Sequence, residues 1–160
     1  EYPQKFHEYF DKLPHRVNYG VSVFVMRLRL AYASLAKRYE LAERGLKEGA
    51  VAMAHSPEYQ PDTNYTELKE YAKIAQRYNR PYFLHLRYSS EDKELEGVKE
   101  AIRLTEETGV QIHIDHINST GGTFNMAKSL ELIQNANAKG SKITCCVYPY
   151  SYWATYLISE

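Results

Sequence analysis

Five stretches rich in β-branched or aromatic residues recur about every 31 residues, centred near Tyr19, Ala52, Leu84, Ile114 and Cys145. Between them, apolar residues fall at helical spacing. A strand and a helix repeating at that interval form a chain of βα units. Consecutive βα units build a parallel sheet through right-handed crossovers. Two architectures satisfy the pattern: an open doubly wound sheet, or an arc of a (β/α)₈ barrel. A complete barrel takes about 250 residues, and this chain has 160, so a barrel reading makes it a piece whose two sheet edges need covering or pairing with another chain.

The elements follow in order. Phe6, Tyr9, Phe10 and Leu13 mark a short helix over Tyr2–Leu13, closed by Pro14. Val17–Met26 reads as the first strand, and Ala33–Glu48 as an amphipathic helix stopped by Gly49. Ala50–Ala54 is a short buried strand, followed by the stiff two-proline loop His55–Pro61. Asn64 with Glu67 three residues on forms a capping box, and Leu68, Tyr71, Ala72, Ala75 and Tyr78 stripe the helix behind it. Strand Tyr82–Leu86, helix Glu91–Thr108, strand Val110–Ile117, helix Phe124–Lys139 and strand Lys142–Tyr148 complete the series. The chain reads as a single domain: a helical segment over 1–16, repeated βα units over 17–150, and an aromatic tail over 151–160 that could be loop or helix.

Twenty basic residues balance twenty acidic ones, so nothing points to nucleic acid or an anionic membrane as partner. No apolar run approaches the roughly 20 residues of a membrane span, and no signal peptide is visible. Cys145 and Cys146 are adjacent, face opposite ways along a strand and are poorly placed to pair. They read as reduced, buried, inert thiols of a cytoplasmic protein. The chain opens on Glu1 rather than methionine, as a processed chain, a fragment or an incomplete record does.

Chemistry concentrates where strands end. Tyr82–Arg87 carries His85, and Val110–Gly122 carries His113, Asp115 and His116 before a Ser/Thr/Gly loop. On neighbouring parallel strands His85 and His116 meet at one rim, where they are candidate metal ligands; imidazole suits zinc. The alternative is a pair of hydrogen-bonded rim histidines. Strand alternation sends His113 and Asp115 to the face opposite His116, with His113 buried against a helix. Asp115 could orient a ligating ring or cap the loop. Arg87, two residues beyond His85, could bind a substrate carboxylate through its planar fork or form a rim salt bridge. Tyr148 could donate to a bound carboxylate or only pack. His55 and Glu58 read as surface structure. Gly121-Gly122 lacks a full phosphate-binding fingerprint.

Four segments together carry a resemblance: H-L-R-Y at His85–Tyr88, G-V-Q-I-H-I-D-H-I-N at Gly109–Asn118, F-N-M-A-K-S-L-E-L-I at Phe124–Ile133, and C-V-Y-P-Y at Cys146–Tyr150. With G-A-V-A-M-A-H-S-P-E-Y-Q-P at Gly49–Pro61, they resemble the D-aminoacylase (N-acyl-D-amino-acid deacylase) branch of the amidohydrolase superfamily, over about strands three to seven of its barrel. The resemblance implies an α/β fold of about five βα units, part of a TIM-type (β/α)₈ barrel. It also implies zinc held by His85 and His116 and a small N-acyl amino acid as substrate. Tyr148 matches a motif tyrosine, and Asn118 falls where the family carries a basic carboxylate-binding residue. Cys146 replaces a usual acidic residue, and Phe24-Val25 replaces a glycine-histidine pair. The family's first-strand H-x-H, its bridging cysteine or carboxylate and its final-strand aspartate have no match here. The expected function is a zinc-dependent amidohydrolase of N-acyl-D-amino acids, catalytically incomplete in this chain alone. The alternative is a non-catalytic half-barrel scaffold that oligomerises through its sheet edges.

Overall fold

A computed structural model describes residues 3–152 and Ala154. The described residues form thirteen elements: α1 (Pro3–Phe10), β1 (Ser22–Phe24), α2 (Val25–Ala31), α3 (Leu35–Lys47), β2 (Ala52–His55), a 3₁₀ turn (Pro57–Tyr59), α4 (Tyr65–Arg77), β3 (Tyr82–Leu84), α5 (Glu94–Thr108), β4 (Ile112–Ile114), α6 (Ile117–Thr120), α7 (Met126–Ala138) and β5 (Ile143–Cys145).

The five strands pair in parallel, in the order β1-β2-β3-β4-β5. That order decides between the two architectures. A doubly wound sheet reverses its strand order and covers both faces with helices; here the order never reverses. Register aligns Val23, Met53, Tyr82, Ile112 and Ile143 across the sheet, with Leu84 and Ile114 two residues on. All of these are core residues, packed with Leu46 of α3, Leu68, Tyr71 and Ala75 of α4, Val98 and Leu104 of α5 and Ile133 of α7. The intervening row, Ala54, Phe83, His113 and Thr144, is only partly covered or exposed. One face of the sheet is therefore the core and the other is open. This is an arc of a TIM-type barrel, with the open face where a closed barrel has its interior.

Capping follows the sequence. The Asn64 side chain accepts from the Glu67 backbone N–H at 2.9 Å. The Glu67 carboxylate does not complete the expected box. It turns inward to Arg29 of α2 and to Arg38 of α3, the latter at 2.9 Å. Gly109 closes α5 at φ 73°, a left-handed conformation that glycine adopts without strain.

Three differences from the sequence reading concern element ends. The expected strand Val17–Met26 is three residues long, and its apolar run continues as α2. Val25 is the reason, since it is buried in the core from the first turn of that helix. Strand Val110–Ile117 stops at Ile114, and α6 begins three residues later. Helix Glu91–Thr108 starts at Glu94, whose buried carboxylate accepts from the backbone N–H groups of Phe124 and Asn125 ahead of α7. The aromatic tail beyond Tyr152, Ala154 apart, lies outside the described residues. Among the described residues no helix is long and apolar enough to cross a membrane.

Candidate metal and substrate site

In a parallel sheet every strand ends at the same rim, and the side chains just past those ends converge. Here they line a cleft of about 840 Å³ whose walls include Glu58, Tyr59, His85, Ser89, Asp115, His116, Phe124 and Tyr148.

His85 directly follows β3, and its N–H donates to the His55 carbonyl at 3.0 Å, which extends the strand pairing by one residue. Its ring is buried. Nε2 lies 2.7 Å from Glu58 Oε2, and Nδ1 lies 2.6 Å from His116 Nε2. Tyr59 packs on the same ring, with centroids 4.8 Å apart. Glu58 is itself fixed by Ser89 Oγ, which donates to Oε1 at 2.5 Å. Burial works to raise the Glu58 carboxyl, but the hydrogen bonds from His85 and Ser89 hold it below the ordinary carboxylate value.

His116 reaches His85 through an unusual backbone. Its φ of 34° and ψ of 57° are left-handed, which is uncommon outside glycine. That turn breaks strand alternation, so Asp115 and His116 line one cleft instead of facing opposite ways. The expectation that Asp115 points away from His116 is corrected by this single residue. Burial, and then the adjacent His85, press the His116 imidazole below its ordinary value.

Two facing imidazoles are a donor set of the kind that suits zinc. With its proton on Nε2, His85 donates to Glu58 and turns its Nδ1 lone pair toward His116. A carboxylate on the far nitrogen of a ligating imidazole is a recurrent device for fixing its tautomer. Two nitrogens on one tetrahedral zinc stand roughly 3.3 Å apart. The 2.6 Å contact is shorter than that separation, so a zinc between the nitrogens requires the two rings to move apart. Two imidazoles are nevertheless fewer than the three protein ligands of a hydrolytic zinc site.

The remaining candidates divide. Tyr148 lines the cleft, and its backbone N–H lies 3.4 Å from Asn118 Oδ1. Asn118 thus ties the Tyr148 loop to α6. Arg87 does not line the cleft. Its guanidinium pairs with Glu100 of α5 through Nε at 3.1 Å and Nη2 at 3.3 Å. The chain has left strand geometry by then, so residue 87 no longer shares the face of residue 85.

Three further readings are corrected. His113 is not buried against a helix: it lies on the open face, beside Phe83 with centroids 4.9 Å apart. Cys146 is exposed rather than buried, because it follows β5 on that same open face, and Cys145 is half-buried. His55 and Glu58 are not surface structure. His55 is 1% exposed, with Nδ1 3.0 Å from Tyr82 Oη and Nε2 3.3 Å from Gln60 Oε1, and burial pushes its pKa down to about 3. Glu58, Tyr59 and Ser89 are the cleft residues that sequence reasoning missed. The signal for the first two was the stiff Ser56-Pro57-Glu58-Tyr59 turn directly after a strand.

No protein-family model matches the chain, and no curated protein matches it. Solved structures do. A D-aminoacylase variant in complex with copper chloride aligns at a TM-score of 0.81 and 23% identity, over 93% of this chain and 34% of that one. An N-acyl-D-glutamate deacylase from Bordetella bronchiseptica, complexed with zinc and a phosphonate inhibitor, aligns at 0.81 and 21% over the same shares. An L-hydantoinase from Arthrobacter aurescens aligns at 0.56 and 15%, over 70% of this chain and 30% of that one. The likeness is one of fold, and the chain spans about a third of the length of these proteins. The structural neighbours are thus of the kind the sequence motifs resemble.

Proposed function

We propose that the chain forms one wall of a zinc-dependent amidohydrolase site that hydrolyses the N-acyl amide bond of D-amino acids. One observation carries this reading: His85 Nδ1 and His116 Nε2 face each other at 2.6 Å at the rim of adjacent parallel strands, with Glu58 on the far nitrogen of His85. The substrate class is supported by the fold likeness to D-aminoacylases and an N-acyl-D-glutamate deacylase.

On this reading His85 and His116 would hold the zinc, and Glu58 orients His85. When bound, zinc supplies a Lewis acid that polarises the scissile carbonyl and acidifies water. The chain's own residues shape the rest. Tyr148 offers a hydroxyl to the substrate carboxylate, and Asn118 anchors the loop that carries it. Arg87 joins that carboxylate only by exchanging its Glu100 partner. Phe124 adds an apolar surface beside the cleft for a substrate side chain or acyl group. Two histidines fall short of the three protein ligands of a hydrolytic zinc site, so residues 1–160 alone are expected to bind metal without turning over substrate.

The test is a zinc titration by calorimetry on the metal-stripped chain, with His116→Ala as control. Loss of one zinc equivalent in the variant supports the reading, and a stoichiometry unchanged in the variant refutes it. A second reading, a half-barrel scaffold without a metal role, draws on the engagement of Arg87 by Glu100 and the open sheet face. The absence of any zinc heat in the wild-type chain would favour it.

A further inference from the structure

We propose that His113, Asp115 and Cys146 form a second, thiolate-containing cation site on the open face of the sheet, suited to zinc or another borderline-soft divalent ion. This site shares no ligating atom with the His85–His116 pair and does not rest on the amidohydrolase reading.

The three donors come from two adjacent strands. His113 is the middle residue of β4, Asp115 follows its end, and Cys146 follows the end of β5. Their ligand atoms all lie within 4.8 Å of one another, and they are the group of metal-binding type found among the described residues. A tetrahedral zinc with mixed nitrogen, oxygen and sulfur ligands holds its donors roughly 3.3–3.8 Å apart. Closing the remaining gap takes a contraction of about 1 Å by side chains that are half-buried or exposed, with the backbone already set by sheet register.

The hydrogen bonds around the group prepare it for a cation. With its proton on Nδ1, His113 donates to Thr144 Oγ1 at 2.8 Å. That leaves the Nε2 lone pair directed toward Asp115 Oδ1, 4.0 Å away. Two acceptors then face each other, an arrangement that a cation between them relieves. The His116 backbone N–H donates to Cys146 Sγ at 3.1 Å, a bond that suits a thiolate ligand. The left-handed turn at His116 therefore serves both sites, aiming its own ring at one and its N–H at the sulfur of the other. A thiolate, an imidazole and a single carboxylate favour zinc over magnesium or calcium, which want oxygen shells. The open side of the face leaves a fourth position for water or a small ligand.

Cobalt(II) titration of the metal-stripped 160-residue chain tests this, because thiolate coordination gives a near-ultraviolet charge-transfer band that an all-imidazole site lacks. The band should appear at one equivalent, vanish in Cys146→Ser, weaken at least tenfold in apparent affinity in His113→Ala, and persist in His85→Ala. No band, a band retained at full affinity in His113→Ala, or a band lost in His85→Ala overturns the proposal; the last would mean that Cys146 serves the histidine pair. A measurement on the wild-type chain guards against misfolded variants. Cadmium should protect Cys146 from iodoacetamide, read by mass spectrometry at that residue, and unprotected alkylation in saturating cadmium refutes the site.

Discussion

Glu58 exerts its effect through an atom it never shares with the proposed zinc. It fixes which nitrogen of His85 carries a proton, so Glu58→Gln should weaken zinc binding by about 10–100-fold while leaving the fold intact. Calorimetry on the variant beside the wild type reads this directly. His55 makes a separate prediction. Its imidazole is buried and neutral, with a pKa near 3 in the folded chain against 6.5 as the ordinary value. Below 6.5 the unfolded chain takes up a proton that the folded chain refuses. The stability His55 allows is therefore present above pH 6.5 and lost as the pH falls toward 3. The loss is on the order of 2 kcal/mol by about pH 5. Urea unfolding of wild type and His55→Gln across that range should show a steep acid slope in the first and a flatter one in the second. Equal slopes would mean that the ring is solvated.

The helices are tied together by charge as well as by apolar packing. Glu67 of α4 meets Arg29 of α2 and Arg38 of α3, and all three side chains are largely buried. Removing the carboxylate leaves Arg29 only its Asp62 partner and Arg38 only the Ala33 carbonyl, so Glu67→Ala should cost about 3 kcal/mol in chemical denaturation. Gly109→Ala should cost about 1–2 kcal/mol, since an alanine at φ 73° is strained whatever space surrounds it. The order and type of the main elements were readable in advance, because each apolar stripe is periodic over a dozen residues. Their ends were not. Val25-Met26-Arg27-Leu28-Arg29-Leu30-Ala31 alternates like a strand, yet folds as a helix because Val25 joins the core and Arg29 reaches Glu67. The histidine pair was readable from strand spacing. Its Glu58 partner was hidden, because Glu58 comes from the 3₁₀ turn after β2 and not from a strand end. The left-handed turn at His116 carried no glycine to announce it.

At the scale of the molecule, β1 and β5 are sheet edges. Phe24 and Val147 beside them are exposed apolar side chains. On the half-barrel scaffold reading, self-association through these edges should appear as concentration-dependent mass in sedimentation velocity, and a single monomer species at high concentration would refute it. The strand order has another consequence. Each strand pairs only with the strands nearest in sequence, so every unit leans on the one before and the one after, and no long-range closure ties the first to the last. Cooperativity in such a chain runs along a line, as it does in repeat proteins. Amide exchange should then be graded, slowest at β3 and fastest at β1 and β5. His85 follows the central strand and His116 the next one, so the two rings are carried by the units with neighbours on both sides, the last to open.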